Sequence, residues 1–147
     1  MKSAAVTPKR SKSAEAIAVG SGPVVLDASA MLAVLRREPG ADVVVPHLRG
    51  ARMSTVNCAE VLQKSSEIGA SAKALLRIME DLEVQVVDFS LGHATACAAL
   101  LEPTRSLGLS LGDRACLALG MAEEALVLTA DRRWNHPAVT ARMKFIR

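Results

Sequence analysis

Four acidic residues could do chemistry together: Asp27, Glu60, Asp113 and Asp131. Asp27 directly follows the apolar run "VVL", and Asp131 stands two residues after the run "ALVLT". A carboxylate at the end of a buried strand is costly unless its charge is compensated. Mg²⁺ and Mn²⁺ prefer oxygen ligands, remove the repulsion between neighbouring carboxylates and can generate hydroxide for hydrolysis. If the four acids converge in space, they predict a metal-dependent hydrolytic site.

Three of these acids also have a local structural interpretation that the sequence leaves open. Asp27 and Asp131 occupy positions typical of N-caps for the segments that follow them. Asp113 comes three residues after Ser110, a spacing that resembles a capping box. Each of these carboxylates can therefore serve a helix end, a functional site, or both.

The fourth acid, Glu60, lies in the helix-like segment "STVNCAEVLQK". On a helix, Asn57 lies about 60° and Lys64 about 40° from Glu60, so the local alternative is a surface Glu–Lys pair. The hydroxyls of Ser29 and Thr129 stand near the first and last acids. They predict either hydrogen bonds to the turn backbone or a role in orienting the carboxylates.

Other catalytic chemistries lack their motifs. The sequence contains no HExxH, no GxSxG and no GxxxxGK[ST] segment. Cys58, Cys97 and Cys116 show no CxxC spacing, which predicts buried free thiols in a reducing cytoplasm rather than a zinc site. Aromatic residues make up only 2% of the chain, which argues against a surface that stacks nucleic-acid bases on aromatic rings.

Short apolar runs alternate with helix-like segments along the chain. Strands are predicted at 24–27, 52–54, 84–87, 125–129 and 144–146, and helices at 29–37, 41–48, 55–68, 71–82, 90–101 and 110–124. Pro46 is expected to limit the second of these helices. This alternation predicts an α/β fold with a mostly parallel sheet. Ligands of such sheets bind beyond the carboxyl ends of the strands, where Asp27 and Asp131 stand.

Length and charge indicate one domain with a distinct N-terminal segment. The chain has 147 residues and a net charge of +3. Residues 1–22 carry all of this excess and are rich in Ser, Ala and Lys, so we predict a flexible basic tail. Residues 23–147 are balanced in charge, so a broad electrostatic footprint for duplex nucleic acid is not evident. No apolar run reaches the ~18 residues of a membrane span.

Four segments, "VVLDASAML", "STVNCAEVLQK", "LSLGDRACLALG" and "LVLTADRRW", occur in the order and approximate spacing of a PIN domain. The chain most resembles the VapC toxins of bacterial VapBC toxin–antitoxin pairs. The resemblance covers residues 23–147, while the basic tail departs from the family pattern. It implies a three-layer α/β/α fold with a mostly parallel central sheet. The residues that match the family's site are Asp27, Glu60, Asp113 and Asp131 as catalytic and metal-ligating acids, with Ser29, Asn57 and Thr129 as supporting residues.

The resemblance also implies a function. It predicts a cytoplasmic endoribonuclease that uses Mg²⁺, with Mn²⁺ as a substitute, and cleaves tRNA or ribosomal RNA loops. The implied partners are a VapB-like antitoxin and a second copy of the chain, with no membrane. Two alternatives stay open: a catalytically inactive PIN-like binding module, and a small metal-dependent phosphatase, although Ser29 stands where a haloacid dehalogenase-type phosphatase needs a second Asp. Trp134 could stack a base near the site or pack in the core.

Overall fold

A computed structural model describes residues 22–147, so the tail predicted for residues 1–22 lies outside the described residues apart from Gly22. Five strands form one sheet in which every pairing is parallel, in the order β3-β2-β1-β4-β5. The strands are β1 (Val24–Leu26), β2 (Arg52–Ser54), β3 (Gln85–Val87), β4 (Leu126–Thr129) and β5 (Arg142–Phe145). All five predicted strands are present, and the last begins two residues earlier than predicted.

Within residues 22–147, six α-helices accompany the sheet. They are α1 (Ala28–Arg36), α2 (Ala41–Val44), α3 (Thr55–Ser66), α4 (Ala72–Asp81), α5 (Leu91–Ala99) and α6 (Leu111–Ala122). The predicted helix at 41–48 is divided: α2 ends at Val44, and a 3-10 turn continues over Val45–His47. Pro46 lacks the N–H that would continue the α-helical hydrogen bonds. The other predicted helices are confirmed within a few residues at their ends.

The central strands β1 and β4 are largely buried on both faces, which requires a layer of helices on each side of the sheet. Successive residues of β1 point to opposite faces: Leu26 packs in a core with side chains of α1, α3 and α4, and Val25 packs in a second core with side chains of α6. In β4, Leu128 packs in the same core as Leu26, and Val127 packs in the same core as Val25. Burial of each such side chain contributes roughly 1.5–3 kcal/mol. The predicted three-layer α/β/α fold is therefore confirmed, with a sheet that is fully parallel.

The order of the strands creates a crevice between β1 and β4. The chain runs from β1 through β2 to β3 on one side of the sheet and then returns to place β4 on the other side of β1. Leu26 is in register with Leu128, so the two strands end together. Such a reversal of strand order opens a space beyond the carboxyl ends of the strands, where ligands bind in open α/β sheets. Asp27 and Thr129 stand at these two ends.

Several side chains that could carry chemistry are instead core residues. Trp134 is fully buried in the second core, so the interpretation of this ring as a base-stacking surface is wrong and core packing is correct. Cys58, Cys97 and Cys116 are buried free thiols, as predicted. Across residues 22–147, no helix has both the length and the apolar character needed to cross a membrane.

Candidate functional site

The four predicted acids line one cleft of about 370 Å³ at the carboxyl ends of β1 and β4. They come from the start of α1, the middle of α3, the first turn of α6 and the segment after β4. The predicted supporting residues Ser29 and Asn57 line the same cleft, and Thr129 contacts it through Asp27. The polar and charged side chains around the cleft are Asp27, Ser29, Asn57, Glu60, Lys64, Ser110, Asp113, Asp131 and Arg133.

Asp27 is buried and tightly held. Its carboxylate accepts hydrogen bonds from the hydroxyls of Ser29 at 2.7 and 2.9 Å and of Thr129 at 2.6 Å, and from the backbone N–H of Ala30 at 2.8 Å. Burial raises the pKa of Asp27 to about 6, and the negative charge of Asp113 adds to the rise, although the hydrogen bonds lower it. The bond to Ala30 is the N-cap of α1. Asp27 is therefore both a helix cap and a fixed member of the acidic cleft.

The hydroxyls of Ser29 and Thr129 join β1 to the segment after β4. Besides their bonds to Asp27, Ser29 accepts a hydrogen bond from the backbone N–H of Ala130 at 2.9 Å, and Thr129 accepts one from Asp131 at 3.0 Å. Both predicted roles, bonding the turn backbone and orienting a carboxylate, are therefore present in each residue. Together these bonds fix Asp131 relative to Asp27.

Asp131 is paired with Arg133. The guanidinium donates from Nε to both carboxylate oxygens at 3.0 and 3.1 Å and from Nη2 to Oδ2 at 2.5 Å. The backbone N–H of Arg133 also donates to Oδ1 at 3.0 Å, which makes Asp131 the cap of a 3-10 turn over Arg132–Trp134. These bonds and the charge of Arg133 hold the pKa of Asp131 below its ordinary value, although partial burial opposes them.

Asp113 belongs to a capping box at the start of α6. Its carboxylate accepts the backbone N–H of Ser110 at 2.8 Å, and its own N–H donates to the Ser110 hydroxyl at 3.1 Å. The second feature of Asp113 is its place in the cleft, where its Oδ2 lies 3.6 Å from Nη2 of Arg133. The local and the functional interpretation are therefore compatible for this residue as well.

Glu60 and Asn57 lie side by side on α3. Glu60 forms the expected ion pair with Lys64 at 3.0 Å. Asn57 is only 1% exposed and donates from Nδ2 to the carbonyl of Gly112 at 3.0 Å. Its Oδ1 is buried without a hydrogen-bond partner among residues 22–147. A buried acceptor of this kind is uncommon and is usually satisfied by an ordered water or an ion.

Gly112 allows α6 to approach α3 at this point. A Cβ at Gly112 would stand 3.3 Å from Oε2 of Glu60 and 3.7 Å from Nδ2 of Asn57. A larger residue would therefore crowd the wall of the cleft.

The buried thiol of Cys116 is close enough to the acids of the cleft to be affected by their charge. Burial raises the pKa of Cys116 well above its ordinary value, and the negative charges of Asp27, Asp113 and Glu60 raise it further.

The donor set fits a divalent cation in its chemistry. Carboxylate oxygens and the free amide oxygen of Asn57 are ligands that Mg²⁺ and Mn²⁺ prefer. Within residues 22–147, however, no three His, Cys, Asp or Glu side chains are drawn together closely enough to make a ready-formed metal site. The carboxylate of Asp131 is instead turned to Arg133. The cleft therefore holds suitable ligands for a cation, but the charges of Glu60 and Asp131 are at present paired with Lys64 and Arg133.

Sequence reasoning missed Arg133, which lines the cleft, and Gly112, which packs against its residues Glu60 and Asn57. Arg133 stands two residues after Asp131. This spacing could have predicted their pairing, because an aspartate that caps a turn bonds to the backbone two residues further on and so lies near the side chain of that residue. Gly112 had no comparable signal, since its role depends on the distance between two helices.

Comparisons with known proteins agree with this architecture. The profile of the PIN domain family matches residues 24–139. No curated protein matches the chain in sequence. Solved structures do match: a toxin–antitoxin complex from Klebsiella pneumoniae has a TM-score of 0.65 at 13% identity, over 84% of this chain and 98% of that one.

Two further structures are similar to the same extent. VapBC-1 from nontypeable Haemophilus influenzae has a TM-score of 0.63 at 17% identity, over 84% of this chain and 98% of that one. FitAcB from Neisseria gonorrhoeae has a TM-score of 0.65 at 17% identity, over 84% and 97%. At these identities the likeness establishes a shared fold, and the family profile establishes membership. The chain belongs to the PIN domain family.

Proposed function

We propose that this chain is a metal-dependent endoribonuclease and the toxin of a toxin–antitoxin pair. The observation that carries the proposal is the convergence of four acids, from four separate elements, on one cleft at the carboxyl ends of β1 and β4. Helix capping explains single carboxylates, but it does not require them to share a cleft. An acidic cleft of this kind suits a divalent cation and, through it, a phosphodiester.

In the proposed site, Asp27 and one or both of Asp113 and Asp131 would hold Mg²⁺ or Mn²⁺. When bound, the cation supplies a Lewis acid and lowers the pKa of water. Glu60 would hold either the cation or the water that attacks phosphorus. In the hydrolysis, the water oxygen would form a bond to phosphorus and give up a proton, the bond from phosphorus to the leaving ribose oxygen would break, and that oxygen would take up a proton.

The residues around Asp27 support its part in this scheme. Ser29, Thr129 and the N–H of Ala30 fix the orientation of the carboxylate before any ligand arrives. A preorganised ligand costs less to recruit than a mobile one. The unpartnered Oδ1 of Asn57 offers an additional oxygen at the wall of the cleft, close to Glu60.

RNA is the proposed substrate, and tRNA or ribosomal RNA loops are the first targets to examine. Because these RNAs are cytoplasmic, we propose that the protein acts in the cytoplasm. The partner proposal follows the structural neighbours, which are described as a toxin–antitoxin complex, as VapBC and as FitAcB. By analogy we propose a VapB-like antitoxin and a homodimer. Large apolar side chains that stay exposed, including Val45, Ile68 and Leu91, are available for such contacts.

The phosphatase alternative is less well supported. Such a phosphatase needs Asp27 as a free nucleophile and a second acid at position 29. Ser29 is present instead and donates to both oxygens of Asp27. The inactive PIN-like module remains the competing function, and activity decides between them.

Cleavage of structured RNAs tests the proposal. Purified chain is incubated with tRNA and ribosomal RNA fragments in Mg²⁺, in Mn²⁺ and in EDTA, and products are resolved on gels. We expect cleavage with either metal, none in EDTA, and a loss of at least about 100-fold in Glu60→Gln. Glu67→Gln, at an exposed acid just after the same helix, is the matched control and should cut at the parental rate. Absence of metal-dependent cleavage of every RNA would favour the inactive binding module.

Co-expression tests the partner proposal separately. The chain is produced together with the product of the neighbouring gene in its native operon, and the complex is sized by light scattering. We expect co-purification with two copies of this chain. A monodisperse monomer without a bound partner would contradict the proposal.

A further inference from the structure

Arg133 contacts two of the four acids of the cleft. Its Nε and Nη2 occupy both oxygens of Asp131, and Nη2 lies 3.6 Å from Oδ2 of Asp113. Its Nη1 reaches the carbonyl of Gly108 at 3.4 Å, on the loop before α6. A forked guanidinium–carboxylate contact is stronger and more directional than an ordinary surface ion pair. Arg133 therefore bridges the segment after β4 to the start of α6 across the mouth of the cleft.

This contact uses the atoms that a cation would need. A metal bound by Asp131 must take at least one carboxylate oxygen that now accepts N–H groups of Arg133. The Arg133 side chain is 55% exposed, so it can turn to solvent without disturbing the core. The neighbouring Arg132 differs: its Nε donates to the carbonyl of Arg147 at 2.9 Å, and its guanidinium lies over the ring of Phe145.

We propose that Arg133 is an internal counter-ion of the acidic cleft, which a divalent metal displaces from Asp131 and Asp113 when it binds. This inference rests on the proposed metal-dependent function and adds an order of events to it. In the metal-free chain, Arg133 offsets part of the negative charge of the cleft and occupies the carboxylate of Asp131. After metal entry, the same guanidinium is free beside the site, and guanidinium binds phosphate bidentately. The chain thus gains a phosphate ligand only once the metal is present.

Thermodynamic linkage makes the exchange measurable. If metal and Arg133 compete for the same carboxylates, Arg133 must weaken metal binding by the factor by which metal weakens the Arg133 contact. Ion pairs that are partly exposed contribute modestly, so Arg133→Ala should bind Mn²⁺ roughly three- to tenfold more tightly than the parent chain. Arg133→Lys keeps the charge but loses the fork, and its affinity should lie between the two.

Calorimetric titration with Mn²⁺ supplies the first test, with Arg132→Ala as the control. That variant removes the same charge one residue away and should keep the parental affinity. Equal tightening in Arg132→Ala and Arg133→Ala would show a general effect of charge and would overturn the exchange. A parental affinity in Arg133→Ala would overturn it as well.

Side-chain NMR supplies the second test. The Nε–H signal of Arg133 should shift when diamagnetic Mg²⁺ is titrated, because its acceptor is lost, while the Nε–H signal of Arg132 should stay unchanged. A parent chain that binds neither Mg²⁺ nor Mn²⁺ would refute the proposed function together with the exchange. A chain that binds metal but leaves the Arg133 signal unmoved would refute the exchange alone.

Discussion

At the residue scale, Asp27 couples the cleft to the stability of the fold. Its pKa is about 6 in the folded chain against an ordinary value of 3.8. Between these values the folded state holds more protons than the unfolded state, so the contribution of Asp27 to the free energy of unfolding falls as pH rises from about 4 to about 6. The difference corresponds to roughly 3 kcal/mol. Above pH 6 the contribution is constant.

Asp27→Asn should remove this pH dependence. We expect the parent chain in EDTA to lose stability relative to the variant as pH rises from 4 to 6, with urea denaturation at each pH as the measurement. The difference between the two chains is the readout, because Asp131, with its lowered pKa, contributes in the opposite direction. Asp88→Asn, at an exposed acid, serves as the control. If the difference in the free energy of unfolding between the parent and Asp27→Asn stayed constant with pH, burial would not raise the pKa of Asp27 to about 6.

A second residue-scale prediction separates chemistry from capping at Asp113. In Asp113→Asn, the amide oxygen can still accept the N–H of Ser110, so the helix start is preserved. Loss of repulsion from Asp27 and loss of attraction to Arg133 oppose each other, so stability in EDTA should change by less than about 1 kcal/mol. Cleavage should be abolished and the rise in melting temperature caused by Mn²⁺ should shrink. Parental cleavage by this variant would remove Asp113 from the proposed site.

At the element scale, Ser110→Ala is the counterpart of Asp113→Asn. It removes the N-cap hydroxyl of α6 and leaves the carboxylate of Asp113 in place. The hydroxyl that accepts the N–H of Asp113 is lost, and such caps contribute about 0.5–2 kcal/mol. We expect a lower free energy of unfolding but a parental increase in melting temperature on addition of Mn²⁺. The opposite pattern, normal stability with a lost metal response, would place Ser110 rather than Asp113 in the site.

Helix α6 also depends on close packing against the sheet. Gly120 is in its last turns, and a Cβ at that position would overlap the side chain of Val127 in β4. Overpacking of this kind costs about 1–3 kcal/mol, so Gly120→Ala should lower the urea midpoint by a corresponding amount. The double variant Gly120→Ala/Val127→Ala tests the cause: it should be more stable than the sum of the two single changes predicts. Simple additivity would contradict a direct clash.

At the scale of the whole molecule, the described residues contain a five-stranded sheet whose central strands are covered on both faces. The match to the PIN domain family spans residues 24–139, and the first backbone bond of the sheet ladder involves the carbonyl of Pro23, which accepts the N–H of Leu126. A chain that begins at Pro23 should therefore keep the melting temperature and the metal-dependent cleavage of the full chain. Thermal melts and RNA cleavage of both chains provide the check. A truncated chain that folds but fails to cut an RNA that the full chain cuts would assign a function to residues 1–22.

The sequence by itself determined the elements and the fold class. Alternating apolar runs and helix-like segments predicted all five strands and the parallel sheet, because burial on both faces demands continuous apolar strands such as "VVL" and "ALVLT". It also predicted which acids stand at strand ends and helix starts, since capping preferences act over a few neighbouring residues. Pro46 was expected to limit the second helix, and α2 does end just before it, at Val44. The burial of Trp134 was not decided by the sequence, because local pattern does not show which neighbour a side chain will meet.

The tertiary structure alone decided whether the acids meet and what compensates them. Asp27 and Thr129 are about a hundred positions apart in the chain, and only the pairing of β1 with β4 brings their side chains to 2.6 Å. The pairing of Arg133 with both Asp131 and Asp113, and the approach of α6 to α3 at Gly112, likewise depend on the positions of whole elements. Local propensity fixes which residues begin a helix or end a strand; packing of both cores fixes which of those ends face one another.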